Sequence, residues 1–150
     1  MSGKRLRIAL VSSVGGHLAE LLELEPALAG HACFWVLNDH SPVLPADRVA
    51  HRISHAERDW RVAWNLVEIG RVFLRERPDL VLSMGAGPAV PAAIVARLMG
   101  IPMIYIEPSS AVTAPTLTGR LMRHLTTRRY VQWPSLLARM PGSRFVGGLL

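Results

Sequence analysis

The chain has 150 residues, of which 50% are hydrophobic, and this length and composition are typical of one globular domain with a substantial core. Its 17 lysine and arginine residues exceed its 11 aspartate and glutamate residues, so the formal charge is +6. Such a charge indicates either a merely basic surface or attraction to phosphate-bearing substrates or anionic lipid; nucleic-acid binding is disfavoured, because no recognition-helix, zinc-finger or aromatic RNA-binding signature is present.

Short apolar runs alternate with helical patterns along the chain. The apolar runs predict six strands, at residues 6–12, 32–37, 49–53, 79–83, 103–106 and 129–132. The helical patterns predict four helices, at residues 18–28, 58–77, 91–99 and 117–125. The stretch at residues 38–47, with Pro42 and Pro45, is predicted to be a loop. This alternation predicts an α/β domain with a doubly wound parallel sheet.

Two glycine loops each follow a predicted strand and precede a helical segment. The first contains Gly15, Gly16 and His17, and the second contains Gly85 and Gly87. Glycine lets backbone N–H groups approach a ligand closely, and the start of a helix presents unpaired donors. Two such loops on one parallel sheet predict a phosphate-bearing ligand across the strand ends. Neither loop is a complete dinucleotide or ATP-binding motif, so the pattern alone is weak.

Two ionisable residues follow predicted strands and are candidates for chemistry. His17 opens the first helical segment, where the helix dipole favours the neutral imidazole that a general base requires; alternatively, it caps the helix or binds a phosphate oxygen. Glu107 follows the strand at 103–106. There a carboxylate can accept from a sugar hydroxyl or orient a histidine, or it can instead bond the backbone of the following loop.

The predicted helix at residues 58–77 is broadly apolar apart from one polar stripe, which consists of Arg58, Arg61, Asn65, Glu68 and Arg75. One interpretation is a helix that packs on the sheet. The other is an interfacial helix, whose arginines and tryptophans, Trp60 and Trp64, lie at a membrane surface.

A hydroxyl-rich segment at residues 109–119 leads into the last predicted helix, and Thr116 or another hydroxyl is a candidate N-cap. Several arginines follow this segment: Arg120, Arg123, Arg128 and Arg129. They form either a solvated face or a patch that attracts phosphate or anionic lipid.

Several catalytic classes are disfavoured by missing motifs. The sequence has no G-x-S-x-G motif, which argues against an α/β-hydrolase. It has no Asp-x-Asp pair, which argues against a sugar transferase that binds its donor through a metal ion. His51 and His55 are four residues apart without a further ligand to complete a metal set. We therefore expect neither a metal nor a cofactor.

Short segments that occur in a fixed order are more specific than any single motif: Gly15-Gly16-His17, Arg77-Pro78-Asp79-Leu80-Val81, Gly85-Ala86-Gly87, Tyr105-Ile106-Glu107, Leu117-Thr118-Gly119 and Val131-Gln132-Trp133-Pro134. With them the chain resembles, over nearly its whole length, the Alg-fourteen-like family of oligosaccharide biosynthesis proteins. This family includes the bacterial PssD-type proteins of exopolysaccharide assembly.

The resemblance implies a Rossmann-like fold equivalent to the N-terminal half of a GT-B glycosyltransferase, with residues 1–150 as one acceptor- and membrane-side domain. Members of the family work with a separate small subunit that carries the nucleotide-sugar half. The pair adds a sugar from a UDP-sugar, bound mainly by the partner, to a polyprenyl-diphosphate-linked acceptor. A transferase with both domains needs about 300 residues, which favours a split enzyme here.

The resemblance also implies roles for individual residues. His17 becomes the candidate base, and Glu107 lies at the edge of the active site. The substrate-binding candidates are Gly15, Gly16, Gly85, Gly87, Thr118, Gly119 and Arg120. Gln132 and Trp133 are expected to support the last strand and its docking to the partner. Apolar residues near the C-terminus are expected to be exposed for the same partner, namely Phe145, Leu149 and Leu150.

The sequence departs from the family pattern in two places. Members commonly carry Glu-Ser-x-Ala-Arg after the fifth strand, whereas Glu107 is followed here by Pro108-Ser109-Ser110-Ala111. If the missing arginine contacts phosphate, Arg120 or Arg123 must substitute for it. Members also often carry Ala-Asp before the Gln-Trp strand, where this chain has Thr126-Thr127.

We therefore expect a subunit of a metal-independent, inverting glycosyltransferase, attached peripherally to the cytoplasmic face of the cytoplasmic membrane. The single cysteine, Cys33, cannot form an internal disulfide, which fits a reducing compartment. Eukaryotic members carry an N-terminal anchor that is absent here, so attachment is expected through the partner, the apolar helix or the basic patch. Two other functions stay open: a non-catalytic module that positions a catalytic partner, and a free-standing nucleotide-binding Rossmann protein.

Overall fold

A computed structural model of the chain describes residues 3–13, 15–38, 44, 47–55 and 60–149. In chain order its elements are β1 (Arg7–Ser12), α1 (Gly16–Leu22), α2 (Glu25–Leu28), β2 (Ala32–Asn38), β3 (Ala50–Ile53), α3 (Arg61–Glu76), β4 (Leu80–Ser83), α4 (Ala89–Leu98), β5 (Met103–Ile106), α5 (Leu117–Met122), β6 (Arg128–Val131), a short 3₁₀ helix (Pro134–Leu136) and β7 (Arg144–Phe145). The strands form one parallel sheet in the order β3-β2-β1-β4-β5-β6-β7. The predicted doubly wound parallel sheet is confirmed.

Both faces of the sheet are covered, which explains why β1, β2, β4 and β5 are mostly apolar runs. Along β1, Ala9 and Val11 belong to one core layer, whereas Ile8 and Leu10 belong to the other. The first layer includes side chains of α3, α4 and α5, and the second includes side chains of α1. Because successive side chains of a strand point to opposite faces, one short run contributes to both layers.

Strands β1 and β4 are neighbours, although β2 and β3 lie between them in sequence. The chain order therefore reverses between β1 and β4, and open α/β sheets bind ligands in the crevice at such a reversal. The two strands are joined at that end, since the hydroxyl of Ser83 donates to the carbonyl of Val11 at 2.8 Å. Each glycine loop begins directly after one of these strands, so the fold places the loops side by side.

Pro26 divides the first predicted helix in two. The sequence predicts one helix at residues 18–28, but α1 ends at Leu22 and α2 begins at Glu25. Proline lacks an N–H group and clashes with the preceding turn, so helices accept it only in the first turn. Pro26 lies in the first turn of α2. The prediction of a continuous helix is therefore wrong.

The other predicted elements are present, and all except the strand at 103–106 have shifted ends. Helix α5, for example, stops at Met122 rather than at residue 125. Strand β7 is not among the predicted elements, because two residues are too few to form a recognisable apolar run. The predicted loop at 38–47 is described only in part, and Val14, Arg58 and Leu150 lie outside the described residues.

Helix α3 packs on the sheet through one face and exposes an apolar stripe on the other. Asn65, Ile69 and Phe73 are its buried residues. The opposite side carries apolar side chains with large exposed fractions, namely Trp60 (76%), Trp64 (46%), Val67 (42%) and Leu74 (66%), and we call these the tryptophan stripe. The packed-helix interpretation is confirmed for the buried face, and the exposed stripe leaves a surface for contact with something outside the chain.

The polar stripe predicted on α3 does not simply face solvent. Asn65 is buried, and Glu68 accepts hydrogen bonds from the backbone N–H and the hydroxyl of Ser54, at 3.1 and 2.9 Å. Ser54 directly follows β3. These contacts therefore attach α3 to the carboxyl end of the edge strand, at the same end of the sheet as the glycine loops.

Candidate functional site

A cavity of about 750 Å³ opens at the carboxyl ends of the first four strands, and we call it the sheet-edge cavity. Its volume is within the range of roughly 300–1,000 Å³ that is typical of ligand sites. Its polar groups come mostly from residues at or after strand ends, whereas its apolar wall comes from α3, α4 and α5. The polar lining is Ser13, Asn38, Ser54, His55, Asn65 and Thr118, and the apolar wall includes Val62, Val90, Pro91, Leu117 and Leu121.

His17 lies against the second glycine loop. A Cβ atom added to Gly85 would be 3.8 Å from Cε1 of His17 and 3.3 Å from the hydroxyl of Tyr105. Gly85 also has a φ of +112°, a conformation that side chains rarely adopt. Glycine at this position therefore permits the close approach of His17, and the structure brings together residues of both loops, as the resemblance implies.

The imidazole of His17 has an unused nitrogen. Its Nδ1 atom is buried and has no hydrogen-bond partner among the described residues. Buried polar atoms are nearly always paired in proteins, so this unpaired nitrogen stands out beside the crevice, although His17 is not among the residues that line the sheet-edge cavity. This geometry fits both the general-base interpretation and the interpretation in which His17 only binds a ligand oxygen.

Glu107 is completely buried behind α5. Its Oε1 accepts from the backbone N–H of Thr116 at 2.5 Å, whereas its Oε2 is buried without a partner among the described residues. Thr116 in turn caps α5, because its hydroxyl accepts from the N–H of Gly119 at 3.0 Å. The loop-bonding interpretation of Glu107 and the predicted cap at Thr116 are confirmed. A role of Glu107 in chemistry stays a prediction.

Tyr105 joins these groups beneath the second glycine loop, and sequence reasoning misses it as a site residue. Its hydroxyl lies 3.4 Å from Oγ1 of Thr116. Burial raises the pKa of Tyr105 far above its usual value, and the negative charge of Glu107 raises it further. The phenol therefore stays protonated next to Gly85.

Glu20 is a second residue that the sequence does not reveal. Its buried carboxylate accepts from the backbone N–H and the hydroxyl of Ser109, at 3.0 and 2.8 Å, and from Nε2 of Gln132 at 2.6 Å. These bonds attach α1 to the loop after β5 and to the end of β6. Its partners are 89 and 112 residues away along the chain, so no local pattern could reveal them.

Gln132 is buried and holds the C-terminal segment in place. Its Nε2 also donates to the carbonyl of Glu107 at 3.2 Å, and its Oε1 accepts from the N–H of Leu149 at 2.9 Å. Leu149 packs against the core layer beside α1. The predicted supporting role of Gln132 fits these contacts. Gln132 is buried and Leu149 is half-buried, and their contact with a partner stays a prediction.

Two other predicted partner residues are accessible. Nε1 of Trp133 donates to the carbonyl of Ser109 at 2.6 Å, while 40% of the residue stays exposed. Phe145 is 41% exposed, and the adjacent Val146 is exposed more fully. After β6, the accessible apolar surface of the described residues therefore includes Trp133, Leu137, Phe145 and Val146.

The predicted substrate-binding residues lie in three places. Gly87 and Thr118 line the sheet-edge cavity. Gly15 and Gly16 are exposed in the first loop, beside His17 and outside the cavity lining. Gly119 and Arg120 line a second, smaller cavity on the other side of α5. The structure therefore separates Arg120 from the sheet-edge cavity.

Comparisons with known proteins agree with this architecture. The family described as "Oligosaccharide biosynthesis protein Alg14 like" matches residues 52–149. The chain is similar to the UDP-N-acetylglucosamine transferase subunit ALG14 of Mus musculus, with 29% identity over 97% of the chain and 83% of the relative. It is also similar to the UDP-N-acetylglucosamine--N-acetylmuramyl-(pentapeptide) pyrophosphoryl-undecaprenol N-acetylglucosamine transferase of Tolumonas auensis, with 36% identity over 51% of the chain and 21% of that enzyme.

Solved structures show the same fold within larger proteins. Acinetobacter baumannii MurG superposes with a TM-score of 0.79 at 16% identity, over 95% of the chain and 45% of MurG. The UDP-N-acetylglucosamine 2-epimerase of Rickettsia bellii gives 0.74 at 13% identity, over 97% of the chain and 46% of the epimerase. These identities show the fold alone, which is the Rossmann-like N-terminal half of the GT-B architecture. The family match covers more than half of the chain, so the chain belongs to the Alg14-like family of oligosaccharide biosynthesis proteins.

Proposed function

We propose that the chain is the acceptor- and membrane-side subunit of a two-chain glycosyltransferase, which adds a sugar from a UDP-sugar to a polyprenyl-diphosphate-linked acceptor. The observation that carries this proposal is the similarity over 97% of the chain to a protein named as a subunit of a UDP-N-acetylglucosamine transferase. The fold supports it, because the chain spans 45% of MurG, about one of two GT-B halves. A second half is then needed to bind the UDP-sugar.

The sheet-edge cavity suits a lipid-linked saccharide. Ser13, Asn38 and Ser54 make the strand ends of the cavity polar, and the sugar and phosphates of an acceptor would bind there. Leu117 and Leu121 offer apolar surface on α5 for the first part of a lipid chain. An acceptor with a polar head and an apolar tail matches this division of the cavity lining.

In the proposed reaction, His17 acts as the general base. A nitrogen of its neutral imidazole takes the proton of the acceptor hydroxyl while that oxygen attacks the anomeric carbon of the sugar. The bond from this carbon to the diphosphate breaks, and UDP leaves in the partner subunit. Among the described residues there is no group of three or more His, Cys, Asp or Glu side chains that could hold a metal ion, and no metal is needed for the step assigned to His17.

Reconstitution with a donor-binding subunit tests the proposed function. We expect residues 1–150 alone to transfer no sugar from any UDP-sugar, because they correspond to only one half of the GT-B architecture. Coexpression with its donor-binding partner should give a complex with transferase activity toward a polyprenyl-diphosphate-linked acceptor. Robust transfer by the single chain, or a stable monomer that captures no donor-binding subunit, would contradict the proposal.

Variants of the exposed C-terminal surface refine this experiment. Phe145→Ser and Val146→Ser should weaken the complex, because burial of each apolar side chain in an interface contributes about 1–3 kcal/mol. Val49→Ser is the matched control, since Val49 is 53% exposed and precedes β3 at the opposite edge of the sheet. The complex should retain its affinity in that control.

We also propose that the tryptophan stripe attaches the subunit to the cytoplasmic face of the membrane. No helix within the described ranges is long and apolar enough to cross a bilayer. The stripe combines exposed tryptophans with arginines on the same helix, and the guanidinium of Arg71 lies 5.9 Å from the centre of the Trp64 ring. Tryptophan and arginine are typical of helices that lie in a membrane interface.

Replacement of both tryptophans by serine should release the subunit from membranes. We expect Trp60→Ser with Trp64→Ser to reduce co-sedimentation with anionic vesicles by tenfold or more, since the lost apolar burial is on the order of 3 kcal/mol. High salt should release part of the unmodified protein, because it screens the attraction between arginine and lipid. Leu98 is an exposed leucine of α4 outside the stripe. Leu98→Ser should change neither the co-sedimentation with vesicles nor the release by high salt. If the double variant unfolds, the tryptophans instead stabilise the fold, and the proposed membrane contact is wrong.

A further inference from the structure

A second cavity lies against α5, on the side opposite the sheet-edge cavity. It has a volume of about 240 Å³, and we call it the arginine cavity after its basic lining: Arg120, Arg123, His124, Arg129 and Arg139, with Pro115, Gly119, Met140 and Pro141. Leu117, Thr118 and Leu121 of α5 line the sheet-edge cavity instead. One short helix therefore forms a wall of both cavities, and the two are lined by different residues.

The positive charge of the arginine cavity is not balanced by carboxylates in its lining. Ion pairs among the described residues involve Arg7, Arg48 and His51, none of which lines this cavity. Glu107 lies behind the wall, since its carboxylate is packed against Gly119, but it is buried and accepts from Thr116. One buried carboxylate behind four guanidinium groups leaves the cavity strongly positive.

Arg129 is fixed in the arginine cavity despite repulsion from Arg123. Arg129 is fixed by a hydrogen bond of 2.5 Å from its Nη2 to the carbonyl of Pro141. Burial lowers the pKa of Arg129, and the positive charge of Arg123 lowers it further. A bound anion would relieve this repulsion, because opposite charges stabilise the ionised guanidinium groups.

The size and the donor set of the cavity define the ligand. Its volume is below the roughly 300 Å³ at which sites for drug-sized molecules begin, so it suits a small group rather than a whole nucleotide. Guanidinium groups present planar pairs of N–H donors that match phosphate oxygens. We propose that the arginine cavity binds a phosphate or diphosphate group, at a site separate from the sheet-edge cavity.

This proposal does not depend on sugar transfer, and the phosphate could come from two sources. It could belong to the headgroup of an anionic membrane lipid, or it could be part of a soluble phosphate compound. The recognition chemistry is the same in both cases, so the experiment has one arm for each source.

The first arm measures the binding of inorganic pyrophosphate to the purified chain by calorimetry. Arg123→Gln and Arg139→Gln are the test variants, because within the described part of the chain neither side chain has a hydrogen bond or ion pair that holds the fold. Each should weaken binding about tenfold, the effect of losing one charge-assisted hydrogen bond. Arg123→Lys keeps the charge without the planar donor pair and should give an intermediate loss. Arg97→Gln, at an exposed arginine of α4, removes the same charge outside the cavity and should have little effect.

The second arm measures co-sedimentation of the same proteins with phosphatidylglycerol vesicles. If pyrophosphate binds and the test variants lose only that binding, the site takes a soluble phosphate. If the test variants lose vesicle binding and pyrophosphate neither binds nor competes, the site takes a lipid headgroup. Either result supports the site. The proposal is overturned if folded Arg123→Gln and Arg139→Gln proteins behave like Arg97→Gln in both arms.

Discussion

Replacing His17 with alanine should lower the turnover of the reconstituted transferase by about 100-fold or more, the scale typical of a general base. The fold should survive, because Nδ1 of His17 has no hydrogen-bond partner among the described residues, so no such bond is lost there. His17→Asn should have nearly the same effect, since an amide cannot take up the proton. The measurement is kcat of the complex, together with the melting temperature of each variant.

A matched control separates the loss of this imidazole from the loss of a histidine in general. His31 lies before β2, where its Nδ1 accepts from the N–H of Leu6 at 3.1 Å, and His31→Gln keeps an acceptor on the side chain. This control should retain full turnover. If a His17 variant has near-normal turnover, His17 is removed from the mechanism, and a non-catalytic module that positions its partner becomes the better function.

Gly119→Ala should destabilise the chain by about 3 kcal/mol, the upper part of the usual range for overpacking a core. An added Cβ would lie 2.0 Å from Oε2 and 2.7 Å from Cδ of Glu107. Glu107 is completely buried and holds Thr116 through a bond of 2.5 Å, so it cannot move away without losing that contact. Urea unfolding measures the change in the free energy of unfolding.

Gly70→Ala is the control for this variant, because an added Cβ at Gly70 in α3 meets no atom within 4 Å. It should stabilise the chain by about 0.5–1 kcal/mol, as alanine does in place of glycine within a helix. Combining Gly119→Ala with Glu107→Ala should cost less than the sum of the single changes, since the second removes the atoms that clash. Equal stabilities for Gly119→Ala and Gly70→Ala would disprove the predicted clash.

Features that depend on local sequence patterns, such as strands and glycine loops, could be predicted from the sequence. The strand at 103–106 has the predicted ends, because its apolar run is bounded by Pro102 and by Glu107. The two glycine loops could be placed at one edge, because parallel strands end together. The proximity of His17 to Gly85 follows from the adjacency of β1 and β4, which the doubly wound topology requires.

Contacts between distant segments could not be predicted in this way. The bonds of Glu20 connect α1 to residues that follow β5 and β6, and nothing near Glu20 in sequence distinguishes it from a solvent-exposed glutamate. The partial burial of Leu149 has the same cause, since the core layer that it contacts is built by residues between 6 and 106. By contrast, the split of the first helix at Pro26 could have been predicted from local sequence, because proline is favoured in the first turn of a helix.

The bonds of Glu20 also affect when α1 can pack stably during synthesis of the chain. A ribosome makes α1 early, but Ser109 and Gln132, which satisfy its buried carboxylate, emerge only near the end. Until then, burial of Glu20 would leave a charged group unpaired, at a cost of several kcal/mol. The first helix is therefore secured by the last third of the sequence, and a nascent chain that stops before Gln132 lacks the donor that completes this site.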